Sequence, residues 1–235
     1  MSGGVLVVGA RGGIGGAVLG ELGRRGVPAV GVDLPDLDIT VPGGAEKAVA
    51  HAAARLDQRG GVTGVVHAVG LSGRRLGDGS VTECTDAAWA EIHRVNLESV
   101  FRLLRATIPV LAANGGGSVV VVGSALARTL DEDFLTVAYA TAKGALIPLV
   151  RSAAYSGAAS GVRVNLVSPG VVDTPMARRA IESPVIGPRL AQLQRVSGGA
   201  QAAESVARTV CWLLSGEAAD ISGADIAADG GWTLR

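Results

Sequence analysis

The chain has 235 residues, with 21 basic and 21 acidic side chains in balance, 48% apolar residues and only 3% aromatic ones. That length suits one sizeable domain or two small ones, with a large core built mostly of Val, Leu, Ile and Ala. Zero net charge with the signs interspersed argues against a nucleic-acid partner. Three isolated histidines and two distant cysteines give no metal spacing, and no apolar run approaches the ~18 residues of a membrane span.

In chain order, GVLVVG at 4–9 reads as a buried strand, too short and too early for a leader peptide. A cytoplasmic protein with free thiols at Cys84 and Cys211 is therefore expected. A helix follows over 14–25, then a second strand, AVGVD, at 29–33. Only LPDLDITVP separates Asp33 from a helix over 43–58, so the usual helix after the second strand is missing or reduced to a turn. Next come a strand at 63–69, a long helical stretch over 86–112, a Gly115–Gly117 turn and the strand SVVVVG at 118–123. A helix over 137–158, a strand at 163–168, a helix over 202–215 and a strand at 224–229 complete the chain. Strand–helix alternation with continuous β-branched runs predicts one α/β domain over 1–235, a doubly wound parallel sheet with helices on both faces.

The first strand enters GARGGIGG, with Gly9, Gly13 and Gly15 in a GxxxGxG spacing rather than the GxGxxG of the dinucleotide fingerprint. A glycine turn between strand and helix lets backbone approach a pyrophosphate, and the helix start at Ile14 offers free N–H groups to it. Asp33 ends the second strand, where a carboxylate accepts both ribose hydroxyls of an adenosine and repels a 2′-phosphate; the alternative is a turn residue before Pro35. Arg11 is the one base near the glycines. Asp38 and Ile39 offer a carboxylate and an apolar face to an adenine ring, or a turn plus a core residue.

Tyrosine and lysine are scarce, two of each, yet Tyr139 and Lys143 fall four apart, on one helix face. A free phenol titrates near 10, and a neighbouring ammonium favours the phenolate. Such a pair can move a proton at a hydroxyl or carbonyl oxygen while a nicotinamide exchanges hydride.

These motifs, in this order, resemble the short-chain dehydrogenases/reductases over essentially the whole chain: GARGGIG at 9–15, VVHAVG at 65–70, Asn96 in RVNL, Ser124 in VVVVGS, YATAK at 139–143, NLVSPGVVDTPM at 165–176 and ADGGW near the end. The resemblance implies Tyr139 as the proton-transfer residue and Lys143 as the ribose contact that lowers the Tyr pKa. Ser124 then bonds the substrate oxygen and Asn96 holds a water in a proton relay. It implies cofactor contacts from Leu34, Ala68, Gly70, Pro169, Gly170, Val172 and Thr174, a substrate lid over 176–200, and a homotetramer. The function so implied is NAD-dependent interconversion of a secondary alcohol and a ketone. The alternatives are a non-catalytic NAD-binding regulator and an NADPH-linked carbonyl reductase.

The chain departs from the family pattern in places. Val8 stands where Thr is usual, and His67-Ala68-Val69-Gly70 stands for Asn-Asn-Ala-Gly, which makes His67 a structural substitute. Pro148 lies inside the Tyr139 helix and predicts a bend one turn beyond Lys143. The compressed GVDLPDLDI resembles the 3α-hydroxysteroid dehydrogenase/carbonyl reductase branch, which points to NAD and an apolar substrate. Arg178, Arg179, Arg189 and Arg195 in the lid stretch read as a solvated face or as a welcome for an acidic substrate.

Overall fold

A computed structural model of the chain describes residues 3–234. Its strands are β1 (Gly4–Val8), β2 (Ala29–Val32), β3 (Val62–His67), β4 (Gly117–Val122), β5 (Val162–Pro169) and β6 (Asp225–Ala228). They form one sheet in the order β2-β1-β3-β4-β5-β6, every neighbouring pair parallel. The helices are α1 (Gly13–Arg24), α2 (Gly44–Leu56), α3 (Asp86–His93), α4 (Ser99–Ala113), α5 (Val137–Ala158), α6 (Arg178–Glu182), α7 (Ile186–Leu193) and α8 (Ala203–Leu214). None among the described residues is long and apolar enough to cross a membrane.

Strand periodicity sorts the valines into two cores. Leu6, Val8, Val65, Val119, Val121, Val164 and Leu166 face the layer of α2, α4 and α5. Val5, Val7, Val66, Val120 and Val167 face α1 and α8. All of them are buried, and each contributes roughly 1.5–3 kcal/mol of apolar transfer energy. Burial on both faces is why these strands carry no polar alternation in the sequence.

From β1 the chain passes to β2 on one side, then crosses back through α2 to β3 on the other. The strand order thus reverses beside β1, and a crevice opens beyond the carboxyl ends of β1 and β3, the place where such sheets take ligands. Residues 34–36 form a turn and no helix separates Asp33 from Asp38, as the spacing requires.

One expectation about helices changes. The stretch 86–112 is helical throughout, but it is broken into α3 and α4 by a π-helical turn over Arg94–Glu98. The helix carrying Tyr139 and Lys143 runs unbroken through Pro148 to Ala158. Pro148 thus lies within the helix without ending it, because the buried residues from Ala138 to Gly157 hold the helix to the sheet.

Candidate active site

The glycine turn is shaped by close approaches. Gly9 has φ +82, and a Cβ there would meet the Ala68 backbone at 2.7 Å. A Cβ on Gly15 would lie 2.0 Å from the Gly9 carbonyl oxygen, and one on Gly13 would lie 2.3 Å from Thr174 Cγ2. Glycine is therefore required where the turn folds on itself and where it meets the loop after β5. The amides of Gly13, Ile14 and Gly15, the first three of α1, have no acceptor among the described residues, while Gly12 and Gly16 do. Three free N–H groups at a helix start, in a turn without side chains, fit a pyrophosphate.

At the end of β2, the Arg11 amide donates to Asp33 Oδ2 and the Leu34 amide to Oδ1, each at 2.7 Å. The carboxylate is thereby fixed beside the glycine turn, with further lone pairs on each oxygen. Arg11 turns its guanidinium away, donating to the Leu34 carbonyl at 2.7 Å and pairing with Asp36. A cleft of about 40 Å³ is bounded by Gly9, Asp33, Leu34, Asp38 and Ile39. The Thr40 hydroxyl and amide donate to Asp38 Oδ1, and this, the hydroxyl first, holds the carboxyl below its ordinary range. Ile39 is buried.

A larger chamber of about 190 Å³ lies beside it, over the ends of β3, β4 and β5. Ser124, Tyr139 and Lys143 line it together. So do Ile14, Ala68 and Gly70 on one side, and Pro169, Gly170, Val172 and Thr174 on the other. Lys143 Nζ is buried, donates to the Val122 carbonyl at 2.8 Å and lies 5.9 Å from the centre of the Tyr139 ring. Burial pushes the Lys143 ammonium down to about 8. The Tyr139 phenol is pushed up by burial, and a hydrogen bond with Ser124 pulls the other way. Among the protein's own groups desolvation thus outweighs the Ser124 hydrogen bond at Tyr139.

Asn96 is wholly buried in the π-helical turn and is not a surface amide. Its Oδ1 accepts from the Leu71 amide at 3.1 Å, and its Nδ2 donates to the carbonyls of Leu71 and Ile92, both at 3.0 Å. A Cβ on Gly70 would lie 3.3 Å from Asn96 Oδ1 and 3.8 Å from Lys143 Nζ, so this glycine lets the two polar heads converge. His67 is also buried, with Nε2 2.9 Å from Ser99 Oγ, a strand-to-helix tie.

A family model described as "Enoyl-(Acyl carrier protein) reductase" matches residues 20–233. "Dehydrogenase/reductase SDR family member 6" of Aquarana catesbeiana is 30% identical over 207 residues, 87% of this chain and 80% of that protein. "Galactitol 2-dehydrogenase (L-tagatose-forming)" of Cereibacter sphaeroides is 29% identical over 214 residues, 91% of this chain and 79% of that one. The solved short-chain type dehydrogenase/reductase from Mycobacterium ulcerans superposes with TM-score 0.85 at 27% identity, covering 98% of this chain and 90% of its own. The chain is a short-chain dehydrogenase/reductase. It is an oxidoreductase of the class that uses a nicotinamide cofactor and acts on alcohols and ketones.

Two further residues shape this dehydrogenase's site and carried no motif. Asp78, buried in the loop before α3, accepts from the Ala138 amide at Oδ1 and from the Tyr139 amide at Oδ2, each at 3.0 Å. The Val137 amide donates to the Gly79 carbonyl. The first three N–H groups of α5 are thus taken by one distant loop, because Thr136 supplies no side-chain cap. Gln194, also buried, accepts from the Val171 amide at 2.6 Å and donates back to its carbonyl at 3.2 Å. Asp173 and Gln201 then close the base of the segment between them: the Asp173 amide donates to the Gln201 carbonyl and the Gln201 amide to the Val171 carbonyl.

Within that segment α6 borders the chamber through Arg179 and Ala180, while Ala180, Ile186, Leu190 and Leu193 pack on Trp232 and Ala125. The arginines of this segment separate by position. Arg178 pairs with Glu182 at 3.7 Å, and Arg189 is held by Asp131 at 3.1 Å and by Asp133. Arg179 lines the chamber, joined by Arg74 from the turn after β3.

Proposed function

We propose that the protein interconverts a secondary alcohol and a ketone using NAD(H), with Tyr139 as acid and base. The observation that carries this reading is the meeting of Ser124, Tyr139 and Lys143 in one chamber that also reaches Ile14 and Thr174 beside the glycine turn. The bound nicotinamide supplies the hydride acceptor or donor and, when oxidised, a positive charge. Ser124 fixes the substrate oxygen against the Tyr139 hydroxyl. In reduction, the raised pKa of the buried phenol keeps it protonated until the alkoxide forms. In oxidation the phenolate must form, and Lys143, still largely charged at neutral pH with its pKa about 8, favours it through the local field. Asn96 tethers the strand-end loop at Leu71 and faces Lys143 across Gly70, in a position to extend a proton path. The segment 176–200 serves as the lid.

Tyr139→Phe tests the reading. Turnover should fall on the order of 10² or more, the scale of general acid–base catalysis, while calorimetric affinity for the cofactor is retained. Oxidation by the parent enzyme should rise with pH through an apparent pKa below ~10 that belongs to the coupled site. Near parent-level turnover in the variant would remove Tyr139 from the chemistry and favour a non-catalytic binding protein.

NAD is assigned because Asp33 and Asp36 present two carboxylates where a 2′-phosphate would come, and Arg11 is engaged by the second of them. Calorimetry should give NAD at least a tenfold advantage over NADP, about 1.4 kcal/mol. Equal affinities would mean that Arg11 leaves Asp36 for the phosphate.

A further inference from the structure

Arg74 and Arg179 reach the chamber from different elements, the turn after β3 and α6. Neither has a carboxylate partner among the described residues, whereas the neighbouring Arg128, Arg178 and Arg189 all do. Instead both guanidinium groups converge on one neutral acceptor, the Asp133 carbonyl oxygen, at 2.6 Å from Arg74 and 3.2 Å from Arg179. Two full positive charges thus share a single partial negative one, and most of their N–H donors have no acceptor among the described residues. Burial, and then the charge of Arg179, push the Arg74 guanidinium down. Asp78 opposes this, but both of its oxygens are already committed to the start of α5. The other walls include Leu126, Phe134, Met176 and Trp232, none of which carries a counter-charge. Uncompensated charge at the partly buried Arg74 is costly, and an anion placed between its fork and that of the exposed Arg179 relieves it with charge-assisted bonds.

We propose that the substrate of this chamber carries an anionic group, a carboxylate or a phosphate, clamped by Arg74 and Arg179 in the same chamber as the carbon that exchanges hydride. This rests on the oxidoreductase reading of the same chamber. It replaces the apolar substrate that the compressed second loop suggested. The apolar walls then take the carbon skeleton, and the arginines take its anionic end.

The test is a panel of short hydroxycarboxylates, their methyl esters, phosphate monoesters of matched diols and plain secondary alcohols, assayed with both nicotinamide cofactors. An anionic substrate should exceed its neutral counterpart in kcat/KM by about 10²; acids against phosphate monoesters tell the two sources apart. Arg74→Gln and Arg179→Gln should each lower that ratio by tenfold or more. Arg179 is exposed, so its replacement does not threaten the fold. Butanoate and inorganic phosphate, titrated calorimetrically into enzyme loaded with reduced cofactor, give a readout apart from turnover. Neutral alcohols used as well as their anionic partners would overturn the clamp and leave the oxidoreductase reading standing. Anion binding that is lost in Arg74→Gln, with no turnover anywhere in the panel, would support the clamp and overturn that reading.

Discussion

His67 holds a protonation state that the fold imposes. Ser99 Oγ donates to the Val95 carbonyl at 2.6 Å, so His67 Nε2 donates to Ser99 and the buried Nδ1 has no partner among the described residues. Burial, and then the charge of Lys143, push the imidazole down to about 3. Unfolded, it titrates near 6.5. The folded state binds the proton less well, so the stability His67 contributes is present above about 6.5 and is lost as pH falls towards 3. Urea titrations between pH 7 and 4 should show the parent losing stability faster than His67→Asn, which places the family's own residue there. The difference should be on the order of 1 kcal/mol per pH unit. Parallel pH profiles would mean that His67 is hydrated or paired in solution. The substitution was visible in the sequence as a break in a motif. Its partner, a serine 32 positions away, was not.

At the scale of the element, α5 decides whether the chemistry is in register, and its start is fixed from outside. Asp78 stands about 60 residues from the amides it accepts, so no local capping pattern announces it. Asp78→Ala leaves two buried N–H groups unmade and should cost roughly 1–3 kcal/mol. Asp78→Asn keeps one acceptor and turns a donor towards the second amide, so it should fall between. Chemical denaturation of the three proteins checks the order, and equal stability of all three would sink the cap. The Tyr139–Lys143 spacing was legible because four residues make one turn whatever surrounds them. The π-helical turn around Asn96 was not, since a slip from i+4 to i+5 bonding leaves no trace in apolar periodicity. Arg74 likewise stands in a turn with no motif, and only the folded chain sets it beside Arg179.

For the whole molecule, the sheet was the most legible part, because strands buried on both faces must be written as unbroken Val-rich runs. The strand order and the side on which each helix lies depend on contacts that no single run contains. Trp89 on α3, Phe101 on α4 and Tyr155 on α5 remain 43%, 48% and 88% exposed. We propose that copies of the chain cover them in a homotetramer, as the family resemblance implies. Light scattering should find four chains per particle, and Phe101→Glu with Tyr155→Glu should reduce that number; a monomeric parent protein would refute it. The bonds joining Val171, Asp173 and Gln201 have a different bearing. They make the stretch between them a ring of chain with a fastened neck. Closing a longer ring adds little entropy, about 0.6 kcal/mol per doubling of its length. The neck keeps such changes from reaching β5 on one side or α8 on the other. Insertion and deletion inside the ring can therefore change what stands beside Met176 and Arg179 at the chamber, while the sheet, the glycine turn and the Tyr139 helix stay as they are.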